Sequence, residues 1–237
     1  MAGSGGSGEF GLRAFVRHNS LSLFFLVLFL GALVGQAIAG HDLFNEEQLA
    51  HGEEAIGFWR YVASSDFAQA VTENWQSEYL QFMLMAMATI WLLQKGSPES
   101  KPLDRAGRES ERDQKLGRYA TGSSPRLARL EGGALRWIYE NSLLLVMGLI
   151  FFASWYAQSV SGWTVFNDEQ KVHGESTVSW LSYVGSSDFW EATLQNWQSE
   201  FLAVGSFAVL TIYLRQRGSP ESKPVGAPHE DATGSGG

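Results

Sequence analysis

The chain has 237 residues, no cysteine and a formal net charge of −8 at pH 7. The lack of cysteine excludes disulfide bonds and thiolate metal sites. The composition, 45% hydrophobic and 18% charged, resembles that of an acidic soluble domain. That average hides a separation into apolar and charged blocks. We expect no nucleic-acid partner.

The sequence consists of two similar repeats that align without a gap. Peptides 122 positions apart match: HGE at 51–53 and 173–175, SSDF at 64–67 and 186–189, NWQSE at 74–78 and 196–200, and GSPESKP at 96–102 and 218–224. Repetition at a fixed period sets the architecture of a chain before any local assignment. We therefore predict two equivalent halves that keep the same polar positions while their apolar surroundings differ.

In chain order, residues 1–10 resemble a flexible Gly/Ser linker, as does the closing GSGG, and neither belongs to the fold. The first apolar run, 21–39, holds one strongly polar residue, Gln36, and suits a helix across a hydrocarbon core of about 30 Å. Its position resembles that of a signal peptide. Its copy at 143–160, with Gln158 at the matching place, favours a transmembrane helix instead.

The second apolar run of each half is shorter, at 79–93 and 201–214. These runs reach spanning length only if their helices start upstream, near Trp75 and Trp197. We predict four transmembrane helices, at about 20–39, 75–94, 142–161 and 197–215.

The distribution of basic residues predicts the orientation. Of the 17 Lys and Arg residues, all but Arg60 and Lys171 lie before the first apolar run, in the 95–136 connection, or after Leu214. The positive-inside rule places both termini and the connection in the cytoplasm and the acidic loops outside. Each half then crosses twice, so the halves run parallel about a pseudo-two-fold axis along the membrane normal.

The predicted organisation has five parts, the first of which is the linker at 1–10. Repeat 1 covers 11–102 with an outer helical loop at 44–74, and repeat 2 covers 137–224 with an outer helical loop at 166–196. The charged segment 103–136 is predicted to be a flexible cytoplasmic linker, and 225–237 a disordered tail.

Each outer loop carries helix signals. Asn45 with Gln48, and their copies at 167 and 170, have the spacing of a capping box, which predicts that a new helix begins there. The aromatic segment that follows, with Phe58, Trp59, Trp180 and Leu181, predicts a helix at the outer lipid interface. The SSDF peptides are expected to cap the next helix.

Capping does not account for a set of polar residues around these loops. The candidate polar cluster comprises His51, Glu53, Asp66, Asn74, Gln76, Glu78, His173, Glu175, Asp188, Asn196, Gln198 and Glu200, with Gln36 and Gln158 at the same expected level. Ionisable residues at membrane depth usually face a protein interior or a water-filled cavity. Three interpretations stay open: a structural hydrogen-bonded layer, an outer vestibule that attracts cations or carries protons, and a divalent-metal site.

The metal interpretation depends on four weak candidates, His51, His173, Glu78 and Glu200, whose spacing matches no established ligand motif. No phosphate loop, haem motif, dinucleotide fingerprint or nucleophile triad is present. We predict no cofactor, with a divalent metal as the one open alternative, and no enzymatic activity.

GSPESKP is the one seven-residue block repeated without change. Gly followed by Pro is a usual helix stop. A helix stop does not require the glutamate and the lysine of this block. A further hypothesis is therefore that Lys101 and Lys223 bind lipid phosphates or form ion pairs with Glu99 and Glu221.

The combination of the FN-x-E-Q-x-x-HGE, SSDF, NWQSE and GSPESKP motifs, twice over, resembles a family of uncharacterised bacterial membrane proteins with a domain of unknown function. The resemblance implies a bacterial inner-membrane location and a duplicated four-helix build. It implies no activity and no site residue.

The predicted fold class is an all-α membrane protein of two parallel two-helix repeats. The leading function is a cation or proton conduit with an acidic outer vestibule. The alternative is a non-transporting interaction or envelope-structure protein, and the third is a metal-dependent membrane hydrolase. Expected partners are the lipid bilayer and further copies of the chain, because Gly31, Ala32, Gly35, Ala153 and Gly205 would allow close helix contact.

Overall fold

A computed structural model describes residues 11–231 and contains α-helices and no strand within that range. The helices are α1 (Leu12–His18), α2 (Ser20–Ala50), α3 (Phe58–Val62), α4 (Ser65–Ala88), α5 (Ala134–Glu140), α6 (Ser142–Val172), α7 (Trp180–Val184) and α8 (Ser187–Tyr213). Two short 3₁₀ helices, Gly117–Tyr119 and Arg126–Arg129, lie between α4 and α5. The linker assigned to residues 1–10 lies outside the described range, as does the closing GSGG.

Matching helices begin 122 residues apart. Ser142 of α6 follows Ser20 of α2 by this interval, and α5, α7 and α8 begin at the same interval after α1, α3 and α4. The last residues of α5, α6 and α7 keep the interval too, whereas α8 is longer than α4, with 27 residues against 24.

The helices α2 and α6 are long and apolar enough to cross a membrane, and they are the two helices of this kind within residues 11–231. Each has 31 residues, a length of about 46 Å at 1.5 Å per residue. In α2 the apolar side chains are exposed all round the helix, and Ala37 alone is buried. Exposed apolar surfaces of this size usually mark a membrane or protein interface.

Helix α6 buries mainly small and polar residues, with Phe151 as the one large apolar member, and exposes most of its other large apolar residues. The buried set is Gly148, Phe151, Ser154, Gln158, Ser159, Ser161, Gly162 and Asn167. Leu149 and Phe152, by contrast, are 70% and 59% exposed. This inverted pattern is typical of helices whose outer surface faces lipid.

Helices α4 and α8 do not meet the same length-and-composition criterion, because their first halves are polar. Their apolar second halves begin at Tyr79 and Phe201, as the sequence indicates. Length and composition therefore support two membrane-spanning helices within residues 11–231, and four spans stay a prediction.

The capping-box prediction at Asn45 was wrong, and so was its copy at Asn167. Both residues lie inside continuous helices, α2 and α6, which run past Gly40 and Gly162 without a break. Their amides instead fix the segment after the helix: Asn45 Oδ1 accepts from Ile56 N at 2.8 Å, and Asn167 Oδ1 accepts from Val178 N at 2.7 Å. The long helices end one residue before His51 and His173, and Gly52 and Gly174 follow with φ of 79° and 72°, a conformation that favours glycine.

The SSDF peptides begin α4 and α8 as expected. Ser64 Oγ and Ser186 Oγ accept hydrogen bonds from Phe67 N and Phe189 N, each at 3.3 Å. The short helices α3 and α7 precede these caps and leave Trp59 79% and Leu181 74% exposed.

The chain divides into two compact units, Met1–Phe67 and Ala68–Gly237. In the first, Tyr61 is buried among aromatic rings of Phe44, His41 and Phe67, with centroids 5.5 to 6.0 Å away. In the second, the buried apolar residues Leu80, Ala128, Phe151, Tyr183, Phe189 and Ile212 lie beside buried polar ones. The second unit holds most of the polar residues considered below.

The segments expected to be flexible contain defined contacts. In the 103–136 connection, Arg136 is buried and forms ion pairs with Glu111 and Glu140. In the tail, residues 225–231 form turns around the Lys223 ammonium, which donates to the backbone oxygens of Pro228, His229 and Asp231. A buried ammonium needs several acceptors, and the tail supplies them.

Candidate functional site

Three helices of the second unit bring polar side chains together, and we call this set the three-helix cluster. It comprises Gln76, Ser77 and Glu78 of α4, Trp155 and Gln158 of α6, and Thr193, Trp197 and Glu200 of α8. On α8 the three residues are spaced i, i+4, i+7, and on α6 the two are spaced i, i+3, so each pair or triple shares one helix face.

The centre of the cluster is closed to solvent. Gln76 and Thr193 are 0% exposed and Gln158 is 1% exposed. Trp197 Nε1 donates to Gln76 Oε1 at 2.7 Å, and Gln76 Nε2 donates to the Glu73 carbonyl at 3.1 Å. Gln158 Nε2 donates to Thr193 Oγ1 at 3.4 Å. These bonds join α4 to α8 and α6 to α8.

Aromatic rings surround the buried amides. The Trp155 ring lies 6.0 Å from that of Trp197, 6.1 Å from Phe189 and 5.9 Å from Trp190, measured between centroids. This apolar wall lowers the local dielectric and strengthens each hydrogen bond inside it.

Two polar atoms of the cluster have no protein partner. Trp155 Nε1 and Gln158 Oε1 are buried and make no hydrogen bond with any side chain or backbone group of the described chain. Most buried polar groups in native structures are bonded, so each exception needs a physical explanation.

The acids of the cluster lie at its edge. Glu78 is exposed and Glu200 is half-buried. The two carboxylates interact electrostatically, and Glu200 also interacts with the Ser77 hydroxyl. Two like charges from matching positions of the two halves are therefore close together.

Four of the other predicted cluster members interact with their own helices instead. His51 and His173 are exposed, and the Nδ1 of each lies 2.9 Å from the carbonyl oxygen four residues earlier in its own helix. Asn74 and Asn196 likewise donate to their own helices, at Ala70 O and Ala192 O. The remaining members are exposed or half-buried: Glu53, Glu175, Asp188 and Gln198 are exposed, and Gln36 and Asp66 are half-buried.

No group of three or more His, Asp or Glu side chains within residues 11–231 is placed to hold a metal ion. The four weak metal candidates do not form one ligand set in that part of the chain.

Sequence reasoning missed several members of the site. Trp155 and Thr193 have no counterpart of the same type in the first half, where Leu33 and Val71 stand, so the repeat gave no signal for them. Tyr183 was also missed. It is buried, and burial together with the charges of Glu73, Asp188 and Glu169 raises the pKa of its hydroxyl to about 12.

The GSPESKP loops form a second polar region, in which both copies adopt the same turn. Gln94 N and Gln216 N donate to Ser100 Oγ and Ser222 Oγ at 2.8 and 2.9 Å. The glycines at 96 and 218 have φ of 81° and 86°, a conformation that favours glycine. They lie in turns eight and five residues after the ends of α4 and α8, so the expectation that they stop these helices was wrong.

The lysines of these loops bind backbone oxygens and do not pair with Glu99 or Glu221, which corrects that part of the hypothesis. Lys101 Nζ donates to Gly107 O at 2.9 Å and pairs with Glu109. Lys223 is 1% exposed, and its Nζ reaches Gly96 O of the other loop at 2.6 Å.

The glutamates of the two loops interact with each other. Burial raises the pKa of Glu99, and the charge and hydrogen bond of Glu221 raise it further. This is a second pair of carboxylates from matching positions, after Glu78 and Glu200.

Over residues 11–231 the fold and the site define an all-helical protein with two helices able to cross a membrane and a buried polar cluster between helices. Residues 12–235 match the family described as Domain of unknown function (DUF6766), and the chain belongs to that family. No curated protein and no solved structure matches the sequence.

Proposed function

We propose that the protein is a four-span integral membrane protein in which α2, α6 and the apolar halves of α4 and α8 cross the bilayer. The exposed apolar surface of α2 and the inverted pattern of α6 support this arrangement. The basic residues at both termini and in the connection favour a cytoplasmic location for those segments, and an inner-membrane setting suits the orientation.

Within this arrangement, we propose that the protein conducts protons or monovalent cations through the acidic pair Glu78 and Glu200. The observation that carries the proposal is the electrostatic interaction of these two carboxylates at the edge of a closed polar cluster, where Glu200 also interacts with the buried Ser77. Each begins the apolar half of its helix, where an ionised carboxylate is costly unless it binds a cation or a proton. Two such acids side by side favour uptake of one positive charge.

Four helices enclose little volume, so conduction would require several copies of the chain. Gly31 and Gly35 of α2 and Gly205 of α8 have open space beside them and would permit close approach of a second copy. The duplication of the chain would then place two equivalent helix pairs in every copy.

Ion flux into proteoliposomes tests the conduit. The acid pair is neutralised in Glu78→Gln with Glu200→Gln. The matched control is Glu53→Gln with Glu175→Gln, which removes the same charge from exposed positions in the segments after α2 and α6. We expect the first variant to reduce flux to the leak of empty vesicles and the control to retain it. No flux from the natural sequence, or equal flux in all three proteins, would remove the proposal.

A second candidate is an interaction or envelope-structure protein that transports nothing. It is favoured by the exposure of Trp59 and Leu181, which stand at matching positions of the short helices α3 and α7. Aromatic and aliphatic side chains at a loop tip commonly anchor in a lipid interface or on a partner. Loss of a cross-linked partner in Trp59→Ala with Leu181→Ala, together with absent ion flux, would select this function.

A further inference from the structure

The buried atoms Trp155 Nε1 and Gln158 Oε1 form a complementary pair. One is a donor and the other an acceptor, and they stand three residues apart on one face of α6. Neither bonds to another group of the described chain, although the amide of Gln76, the amide nitrogen of Gln158 and the indole of Trp197 all do so.

Leaving both atoms unbonded would be costly. An unpaired buried amide or indole group loses its hydration and costs about 1–3 kcal/mol in a protein. The rings of Phe189, Trp190 and Trp197 lower the local dielectric, which makes an unpaired polar group more costly. Nor does the Gln158 amide benefit from rotation, because its nitrogen already donates to Thr193 Oγ1.

We infer that Trp155 and Gln158 together bind one water molecule in the interior of the helix bundle. The indole N–H donates to the water oxygen, and one water O–H donates to Gln158 Oε1. The second O–H and the remaining lone pair are free for hydroxyl groups of the same layer, such as that of Thr193. Buried waters usually make two to four bonds of this kind.

The water site lies within the three-helix cluster and is connected to its acids through neighbouring side chains. Trp155 packs against Trp197, which donates to Gln76, and Gln76 precedes Ser77 and Glu78 in α4. Binding of this water does not depend on the proposed conduction. A role for it in passing charge to or from Glu200 does rest on the proposed function.

Stability in detergent distinguishes a bound water from two unbonded atoms. The test variants are Trp155→Phe and Gln158→Met, singly and together. The matched controls are Trp190→Phe, in the same aromatic wall, and Gln198→Met, which is exposed. If water bridges the two groups, each single variant strands a partner and lowers Tm by about 2–4 °C more than its control.

In that case the decrease in Tm of the double variant is smaller than the sum of the decreases of the two single variants, because each variant loses the same water. If the atoms are unbonded, Trp155→Phe raises Tm or leaves it unchanged, which overturns the inference. Gln158→Met also removes the hydrogen bond to Thr193, so its effect is interpreted only through the double variant.

A direct measurement on the natural sequence supplements the variants. The indole N–H resonance of Trp155, assigned by its disappearance in Trp155→Phe, is expected to show a magnetisation-transfer peak to water. A resonance with protein cross-peaks alone overturns the inference even if the variants do not fold. Neither readout depends on ion flux, so the water site and the conduit fail or stand separately.

Discussion

At the scale of single residues, matching positions of the two halves perform the same task with different side chains. His41 Nε2 lies 2.9 Å from the carbonyl oxygen of Ile56, and Trp163 Nε1 donates to that of Val178 at 2.8 Å. His41 and Trp163 stand 122 positions apart, as do the two carbonyls. Both positions place a ring nitrogen against an equivalent carbonyl oxygen. The two halves are therefore more similar in structure than their sequence identity indicates.

The lysines of the GSPESKP loops show the reverse case, in which one residue type meets different surroundings. Lys223 is buried with four backbone oxygens around its ammonium, whereas the Lys101 side chain is 25% exposed and pairs with Glu109. Burial and the nearby charge of Arg215 lower the pKa of Lys223, so its charged form is retained by the carbonyl oxygens against a desolvation cost.

We predict that Lys223→Met destabilises the protein by about 2 kcal/mol, because it removes charge-assisted hydrogen bonds and leaves buried carbonyl oxygens unbonded. The measurement is thermal unfolding in detergent combined with limited proteolysis of residues 224–231, which should become cleavable. Lys171→Met is the control, since Lys171 is 62% exposed and forms one surface pair with Asp168. Equal stability of the two variants would show that the ammonium does not anchor the tail.

At the scale of elements, the sequence predicted helix starts better where a serine cap marks them than where an asparagine does. The serine caps of α4 and α8 could be recognised because serine is a preferred N-cap residue and an aspartate follows each one in the first turn of the helix. The capping box at Asn45 failed because the same residue types also act in tertiary contacts. Asn45 bonds to Ile56, eleven residues later, and no local pattern indicates that partner.

Each long helix also has a glycine that is required by a contact with another helix. A Cβ at Gly40 would meet the hydroxyl of Tyr61, and a Cβ at Gly162 would meet that of Tyr183. Both tyrosines are buried and cannot move aside without cost. The glycines thus permit the short helices α3 and α7 to pack on α2 and α6.

Accordingly, Gly162→Ala should lower stability by about 1–3 kcal/mol, the usual cost of overpacking a closed contact. Adding Tyr183→Phe removes the hydroxyl and should restore part of the loss. Gly205→Ala serves as the control, because nothing lies within 4 Å of that position and alanine favours a helix there. Thermal unfolding of these variants and the natural sequence measures the effect. A Gly162→Ala variant as stable as the Gly205→Ala variant would mean that the tyrosine hydroxyl lies elsewhere.

At the scale of the whole molecule, the sequence predicted the all-helical class and several polar residues of the site. It did not predict which of these residues lie together. Gln76, Gln158, Glu78 and Glu200 were identified because polar residues in apolar surroundings are costly. Their grouping with Trp155 and Thr193 depends on which helix faces meet, and no repeat or motif encodes it. The histidines were expected at the same site, but each bonds to its own helix end.

The number of membrane crossings is the central claim, and a labelling experiment decides it. The chain has no cysteine, so single cysteines can be placed at Glu53, Glu175 and Arg108 without further changes. A membrane-impermeant maleimide is then applied to intact spheroplasts. With four spans, Glu53→Cys and Glu175→Cys react from outside, and Arg108→Cys reacts only after permeabilisation. If α2 and α6 alone crossed the bilayer, the Glu53 and Glu175 positions would be labelled from opposite sides, and that result would contradict the four-span account.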